Sequence, residues 1–331
     1  MTTTKRILFI GGSGIISAAS VAHAVSLGHH VTVLNRGLSE VRPLPAEVEL
    51  LRADVRDTDA VTEALGSREF DVVAQFTAFT PQQVQADIDR FAGRIGQYVF
   101  ISSASAYQKP PLRLPVVEST PLRNPFSEYA RDKISCEDVL VAAYREHGFP
   151  ATIVRPSHTY DRTLLPTMGK RTDLERMRAG KPVVVHGDGT TVWTITHSDD
   201  FAVGFVGLFG RRDVLGEAFH ITGDHAPTWN DIIRWIADAA GVEADIVHVP
   251  SDLIAEIHPP LGPTLLGDKA FPMVFDNTRI RSLVPEFHPR IPFWDGAAEM
   301  VEFHDANPHW QPADPGLDAA FDRMVAAVGR G

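Results

Sequence analysis

Apolar residues come in short runs through the first half of the chain, and each run is followed by a stretch with helical spacing. The first run, 7–10, ends in glycines. Residues 15–27 then read as a helix closed by Gly28, a residue common just past helix ends. Further runs lie at 31–34, 48–51, 71–76, 98–101 and 152–154. They lack strict polar alternation, as strands covered on both faces do. Strands alternating with helices predict an α/β fold built on a doubly wound parallel sheet.

The second half changes character. Proline and loop signals become frequent from Tyr160. Thr228 and Asp231 form the two ends of a capping box, and Trp229, Ile232, Ile233, Ile236 and Ala240 follow at helical spacing up to Gly241. A last helix is expected near 317–328. The pattern predicts a dinucleotide-type domain from 1–160 and 190–222, and a smaller mixed substrate domain from 161–189 and 223–331.

Composition narrows the function. Of 331 residues, 44% are hydrophobic and 22% charged, ordinary for a folded protein, and the net charge is −11. An acidic surface repels phosphate backbones, so neither nucleic acid nor an anionic membrane is an expected partner. The single cysteine, Cys136, suits a reducing compartment and reads as packing. No apolar leader and no membrane-length run is present, so a cytoplasmic location is expected. A homodimer is compatible with all of this.

The first run leads into Gly11-Gly12-Ser13-Gly14-Ile15-Ile16-Ser17. Glycines here permit a tight turn and close approach of a pyrophosphate to the next helix N-terminus. That setting predicts a Rossmann-type NAD or NADP site. Ser17 replaces the usual third glycine. Ser13 either satisfies the turn or touches a phosphate. The second strand ends in Asn35-Arg36, where an NAD site usually carries an acidic residue for the ribose 2′-hydroxyl. Arg36 can pair with a 2′-phosphate or stack on adenine, so NADP is favoured over NAD. Asp54 is placed to meet the adenine amino group.

Tyr129 and Lys133 lie four apart, on one face of a helix. A phenolate at neutral pH costs about 4 kcal/mol for a free tyrosine, and a nearby ammonium reduces that cost. The fifth strand ends in Ser102-Ser103-Ala104-Ser105-Ala106-Tyr107, at the edge where ligands bind in this architecture. A serine there can hydrogen-bond a reacting oxygen.

These motifs, with Phe76-Thr77-Ala78, Arg155-Pro156, Gly187-Asp188-Gly189 and Asp199-Asp200, resemble an extended short-chain dehydrogenase/reductase of the NAD-dependent epimerase/dehydratase family. The likeness spans most of the chain in order, and also resembles atypical members such as chloroplast stem-loop-binding proteins. It implies Tyr129 as acid/base, Lys133 as its orienting cation and ribose contact, and Ser103 on the substrate oxygen, with Ser102 and Ser105 as local alternatives. The implied cofactor contacts are Gly11, Ser13, Gly14, Ile15, Ile16, Asn35, Arg36, Asp54, Val55, Phe76, Thr77, Ala78, Ser102 and Pro156, besides Tyr129 and Lys133. Ser103, Ser105, Tyr107, His158 and Trp193 are the implied substrate contacts. Two departures stand out. The stretch between Ala78 and Tyr98 is short and lacks the family's Asn-x-x-Gly-Thr. Trp193 stands where an arginine often clamps sugar-nucleotide phosphates, and an indole cannot replace that clamp.

The histidines show no recognised metal-ligand spacing, and no metal is expected. The expected activity is that of an epimerase or dehydratase on a sugar-like, polyhydroxylated small molecule. The alternatives are a net NADPH-dependent reductase or dehydrogenase and a non-catalytic cofactor-binding module.

Overall fold

The computed structural model describes residues 3–39 and 41–329. Seven parallel strands form the main sheet: β1 (Arg6–Ile10), β2 (His30–Asn35), β3 (Glu49–Arg52), β4 (Phe70–Gln75), β5 (Ile95–Ile101), β6 (Ala151–Pro156) and β10 (Ala218–Ile221). Their order is β10-β6-β5-β4-β1-β2-β3. The chain moves outward from β1 in both directions, so the carboxyl ends of β1 and β4 flank the switch point where ligands bind.

Side chains in the sheet alternate between two cores, as pleating requires. Ile7 and Phe9 pack with Val21 and Ala24 of α1 (Ile15–Ser26) and with Phe201 and Phe205 of α6 (Ser198–Gly207). Leu8 and Ile10 pack on the other face, with Val61 of α2 (Thr58–Leu65), Val84 and Ile88 of α3 (Pro81–Phe91), and Cys136 and Leu140 of α4 (Glu128–His147). Both faces are therefore covered, which is why the runs are nearly all apolar.

A third core gathers Trp193, Trp229, Met273 and Phe293. It is built on α7 (Trp229–Ala239), where Thr228 and Asp231 do form the reciprocal cap. Beside it, β8 (Val183–His186) pairs with β11 (Ile246–Val249), and the three-residue strands β7 (His158–Tyr160) and β9 (Ile195–His197) pair with each other. The helix Arg171–Arg178, labelled α5, packs near the C-terminal helix Pro315–Ala327. Five of the eleven strands among the described residues, β7, β8, β9, β10 and β11, do not figure among the runs read from sequence. Each is only three or four residues long.

Candidate active site

The glycine loop forms as its sequence dictates. Gly12 has φ 78°, and a Cβ there would lie 2.6 Å from Val33 Cγ1, so only glycine lets the loop lie flat on β2. Gly14 caps α1, and its N–H donates to Ser17 Oγ at 2.8 Å. Ser17 thus satisfies a helix-start donor in place of providing the close approach of a third glycine. Asn35 ties the loop to the end of β2: its Nδ2 donates to the Gly11 carbonyl at 2.9 Å, and its Oδ1 accepts from Gly37 N at 2.7 Å.

A cleft of about 680 Å³ lies over these strand ends. Gly11, Ser13, Gly14, Ile16, Asn35, Arg36, Asp54, Val55, Phe76 and Thr77 line it, together with Arg56. Ile15 faces a different groove, beside α1. Arg56 takes Asp54 in a two-pronged pair, with Nη2–Oδ2 at 2.6 Å and Nε–Oδ1 at 3.0 Å. These hydrogen bonds hold the Asp54 carboxyl well below the usual carboxylate range. Thr77 donates through both its N–H and its hydroxyl to Gln75 Oε1, at 2.7 and 2.9 Å, which fixes the end of β4.

The cleft's shape fits a dinucleotide. The glycine corner leaves room where a side chain would intrude, α1 presents its N-terminus, and Arg36 and Arg56 stand at the far end.

A smaller cavity of about 240 Å³ contains Ser103, Ser105, Tyr129, Pro156, His158 and Trp193. Ser127 caps α4 and thereby starts the helix two residues before Tyr129. Tyr129 is half-exposed at the cavity mouth and lines the same cavity as Ser103. Burial of its hydroxyl raises its pKa, and the Ser103 hydroxyl only partly offsets this, so the phenol is protonated. Ser103 Oγ also accepts from Ser105 N at 3.1 Å and lies 2.8 Å from Ser105 Oγ.

Lys133 is buried one turn further along α4. Its Nζ donates to the carbonyls of Ala78 and Ile101, each at 2.8 Å, and lies 5.9 Å from the centre of the Tyr129 ring. Two of an ammonium's three donors are thus committed to the backbone, leaving one for a ligand. Burial lowers the Lys133 pKa to about 8.

Four predicted site residues lie elsewhere: Ile15, in the groove beside α1, Ala78, buried with its carbonyl on Lys133, and Ser102 and Tyr107. Ser102 is buried and donates to Glu137 Oε1. Tyr107 is also buried, with its hydroxyl 3.1 Å from His220 Nδ1 and accepting from Arg155 Nη1 at 3.2 Å. Both belong to one polar network beneath the catalytic loop, not to the cavity lining. Trp193, only 2% exposed, both packs in the third core and borders the cavity.

Sequence reasoning missed Lys269 and Asp268, which line the cavity, and Lys109 behind them. They arrive from distant segments and carry no motif.

A cleft over the strand ends of a parallel sheet, with serine, tyrosine and lysine at one end, defines an enzyme of the short-chain dehydrogenase/reductase type. Residues 7–221 match the NAD dependent epimerase/dehydratase family, and the chain belongs to it. It is 29% identical over 257 residues to 2′-dehydrokanamycin reductase of Streptomyces kanamyceticus, covering 76% of this chain and 72% of that protein. It is 28% identical over 260 residues to chloroplast stem-loop binding protein of 41 kDa b of Arabidopsis thaliana, covering 75% and 66%. Its fold is similar to that of epimerase Mth375 from Methanothermobacter thermautotrophicus, with TM-score 0.75 and 16% identity over 92% of this chain and 93% of that one. No helix among the described residues is long and apolar enough to cross a membrane.

Proposed function

We propose that the protein binds NADP(H) in preference to NAD(H) and acts on a small sugar-like, polyhydroxylated substrate in the cavity beside Ser103. Residues 1–160 and 190–222 carry the cofactor and residues 161–189 and 223–331 complete the substrate site. The observation that carries the reading is that Ser103 and Tyr129 line one cavity together.

A bound nicotinamide supplies or accepts the hydride. Tyr129 donates its proton to a substrate oxygen when a carbonyl is reduced and takes it back when an alcohol is oxidised. Ser103 hydrogen-bonds the same oxygen. The free donor of Lys133 holds a ribose hydroxyl. Arg36, cationic and exposed at the cleft's far end, supports NADP because Asn35 puts no negative charge against a 2′-phosphate.

In an epimerase or dehydratase the hydride returns to the substrate. A net reductase is the second reading, favoured by the protonated Tyr129, which is the form that donates in carbonyl reduction. Similarity to 2′-dehydrokanamycin reductase supports it. Incubating the protein with NADPH and a panel of keto sugars, and in parallel with NADP and a panel of hydroxylated sugars, then following cofactor and products, tests both. Stoichiometric NADPH consumption indicates the reductase, and product without consumption indicates the isomerising or dehydrating enzyme. No reaction of any hydroxylated or keto sugar with either cofactor contradicts the proposal.

A further inference from the structure

Lys269 occupies an unusual setting for a cation. It ends a five-residue π-helical turn, Leu265–Lys269, a feature that often marks functional sites. Its backbone is fixed, because its carbonyl accepts from Trp229 Nε1 at 3.2 Å and lies 3.0 Å from His186 Nε2. Its ammonium rests over indoles, 4.8 Å from the Trp229 ring centre and 5.9 Å from that of Trp193. It is 7% exposed, and that exposed part faces the substrate cavity.

Among the described residues no carboxylate pairs with it. The adjacent Asp268 is taken by buried Lys109, with Nζ–Oδ1 at 2.8 Å. The nearest polar group is His158, whose ring nitrogens lie 3.3 and 3.4 Å from Nζ. Burial and the Lys269 charge hold His158 neutral, well below its ordinary pKa. Lys170 adds a further positive charge nearby. Lys269 and Asp268 are thus the charged residues lining this cavity among the described residues, and the Asp268 carboxylate is already held by Lys109 behind it. A buried cation without a counter-ion is costly, and burial pulls the Lys269 pKa down to about 8. An anion from outside relieves that cost.

The position relative to the reacting centre is also fixed. Lys269 lines the same 240 Å³ cavity as Ser103 and Tyr129, and it borders a second cavity of about 670 Å³ through His158 and Thr264. A group on Lys269 would share this cavity with the oxygen held by Ser103. The cavity corner offers an ammonium and an imidazole between indole faces. It suits a single anionic substituent, carboxylate or phosphate.

We propose that Lys269 is a specificity-determining residue that binds an anionic substituent on the substrate itself. The inference rests on the reading of this cavity as the substrate site. Its consequence is selection: sugar acids or sugar phosphates are preferred over neutral sugars, and amino sugars are disfavoured.

Calorimetric binding to the NADPH-loaded protein tests this without turnover, so it stands apart from the roles given to Tyr129 and Ser103. The probes are glucuronate, glucose 6-phosphate, glucose and glucosamine. A charge-assisted contact predicts that at least one anionic probe binds about ten to a hundred times more tightly than glucose, with glucosamine weakest. The two anionic arms show whether carboxylate or phosphate is the ligand chemistry. Lys269→Met keeps the packing between the indoles and should erase the preference while NADPH affinity is unchanged. In the unaltered protein the advantage of glucuronate over glucose should fade above pH 8, as Lys269 loses its proton; the comparison with glucose at each pH cancels any change in cofactor loading through Lys133. Equal binding of anionic and neutral probes, no binding of either anionic probe, or an undiminished preference in Lys269→Met overturns the proposal.

Discussion

Arg155, at the end of β6, grips Glu137 of α4 with both prongs of its guanidinium, Nε to Oε1 at 2.9 Å and Nη2 to Oε2 at 2.5 Å. Glu137 is one helical turn past Lys133, and it also accepts from Ser102, the neighbour of Ser103. The pair therefore locks the helix bearing Tyr129 to the loop bearing Ser103. Its two side chains are 6% and 3% exposed, so neither charge is solvated if the other is removed. Glu137→Gln should lower unfolding stability by about 3–5 kcal/mol, measured by urea denaturation. A loss under 1 kcal/mol would mean that the pair is not buried as described.

The roles of Asn35 and Arg36 separate by variant. Arg36→Ala should weaken NADPH binding tenfold or more and leave NADH binding nearly unchanged, because only NADPH carries the 2′-phosphate. Asn35→Asp should weaken both, since it removes the donor to the Gly11 carbonyl and sets a carboxylate against that oxygen. Calorimetry with both cofactors reads the difference. Equal losses for both cofactors in Arg36→Ala would place Arg36 on the adenine instead.

Lys133 gives a pH signature. Burial depresses its pKa to about 8, so the folded protein loses this charge as pH rises through 8, before an exposed lysine would. Cofactor affinity should be full below pH 8 and decline above it. Lys133→Met should bind more weakly and show no such decline. An unaltered protein whose affinity is flat from pH 7 to about 9.5 would contradict the contact assigned to Lys133.

Asp173 gives the opposite sign. It is 1% exposed, and burial pushes its carboxyl up to about 6, although Gly169 N donates to Oδ2 at 2.8 Å. A raised carboxyl pKa means the folded state prefers the protonated form. Stability is thus lost as pH rises from about 4 to about 6, and the penalty persists above that. Asp173→Asn keeps an acceptor for Gly169 and removes the charge. It should stabilise the protein by about 1–3 kcal/mol at pH 8 and have little effect at pH 4, by thermal or urea unfolding. Destabilisation at pH 8 would show that the ionised form is the one the fold accommodates.

Much of the fold was legible because local pattern and tertiary demand agree. The runs at 7–10, 31–34 and 98–101 lie within β1, β2 and β5, and the glycine loop, the α7 cap and the Tyr129–Lys133 spacing are properties of contiguous sequence. Side-chain direction was not legible. Ser102 and Ser103 are adjacent just past one strand end, yet Ser102 turns inward to Glu137 and Ser103 lines the cavity with Tyr129, as alternation along a strand requires. Reading both as site residues overlooked that alternation. Tyr107 turns inward to Arg155 and His220, partners 48 and 113 residues away. Asp54 finds Arg56 two residues on, a pairing visible in sequence once it is sought. Lys269 had no visible signal at all, since its meaning comes from Trp193, Trp229 and His158, assembled from three separate segments.

Tyr129→Phe tests the central claim most directly, because it keeps the ring against Phe79 and removes only the hydroxyl in the cavity it shares with Ser103. Turnover of a sugar-like substrate identified with the unaltered protein should fall roughly 10²–10⁴-fold, while NADPH affinity stays nearly constant because Lys133 remains. Near-normal turnover by a folded Tyr129→Phe protein would contradict the assignment of Tyr129 as the group that moves the proton.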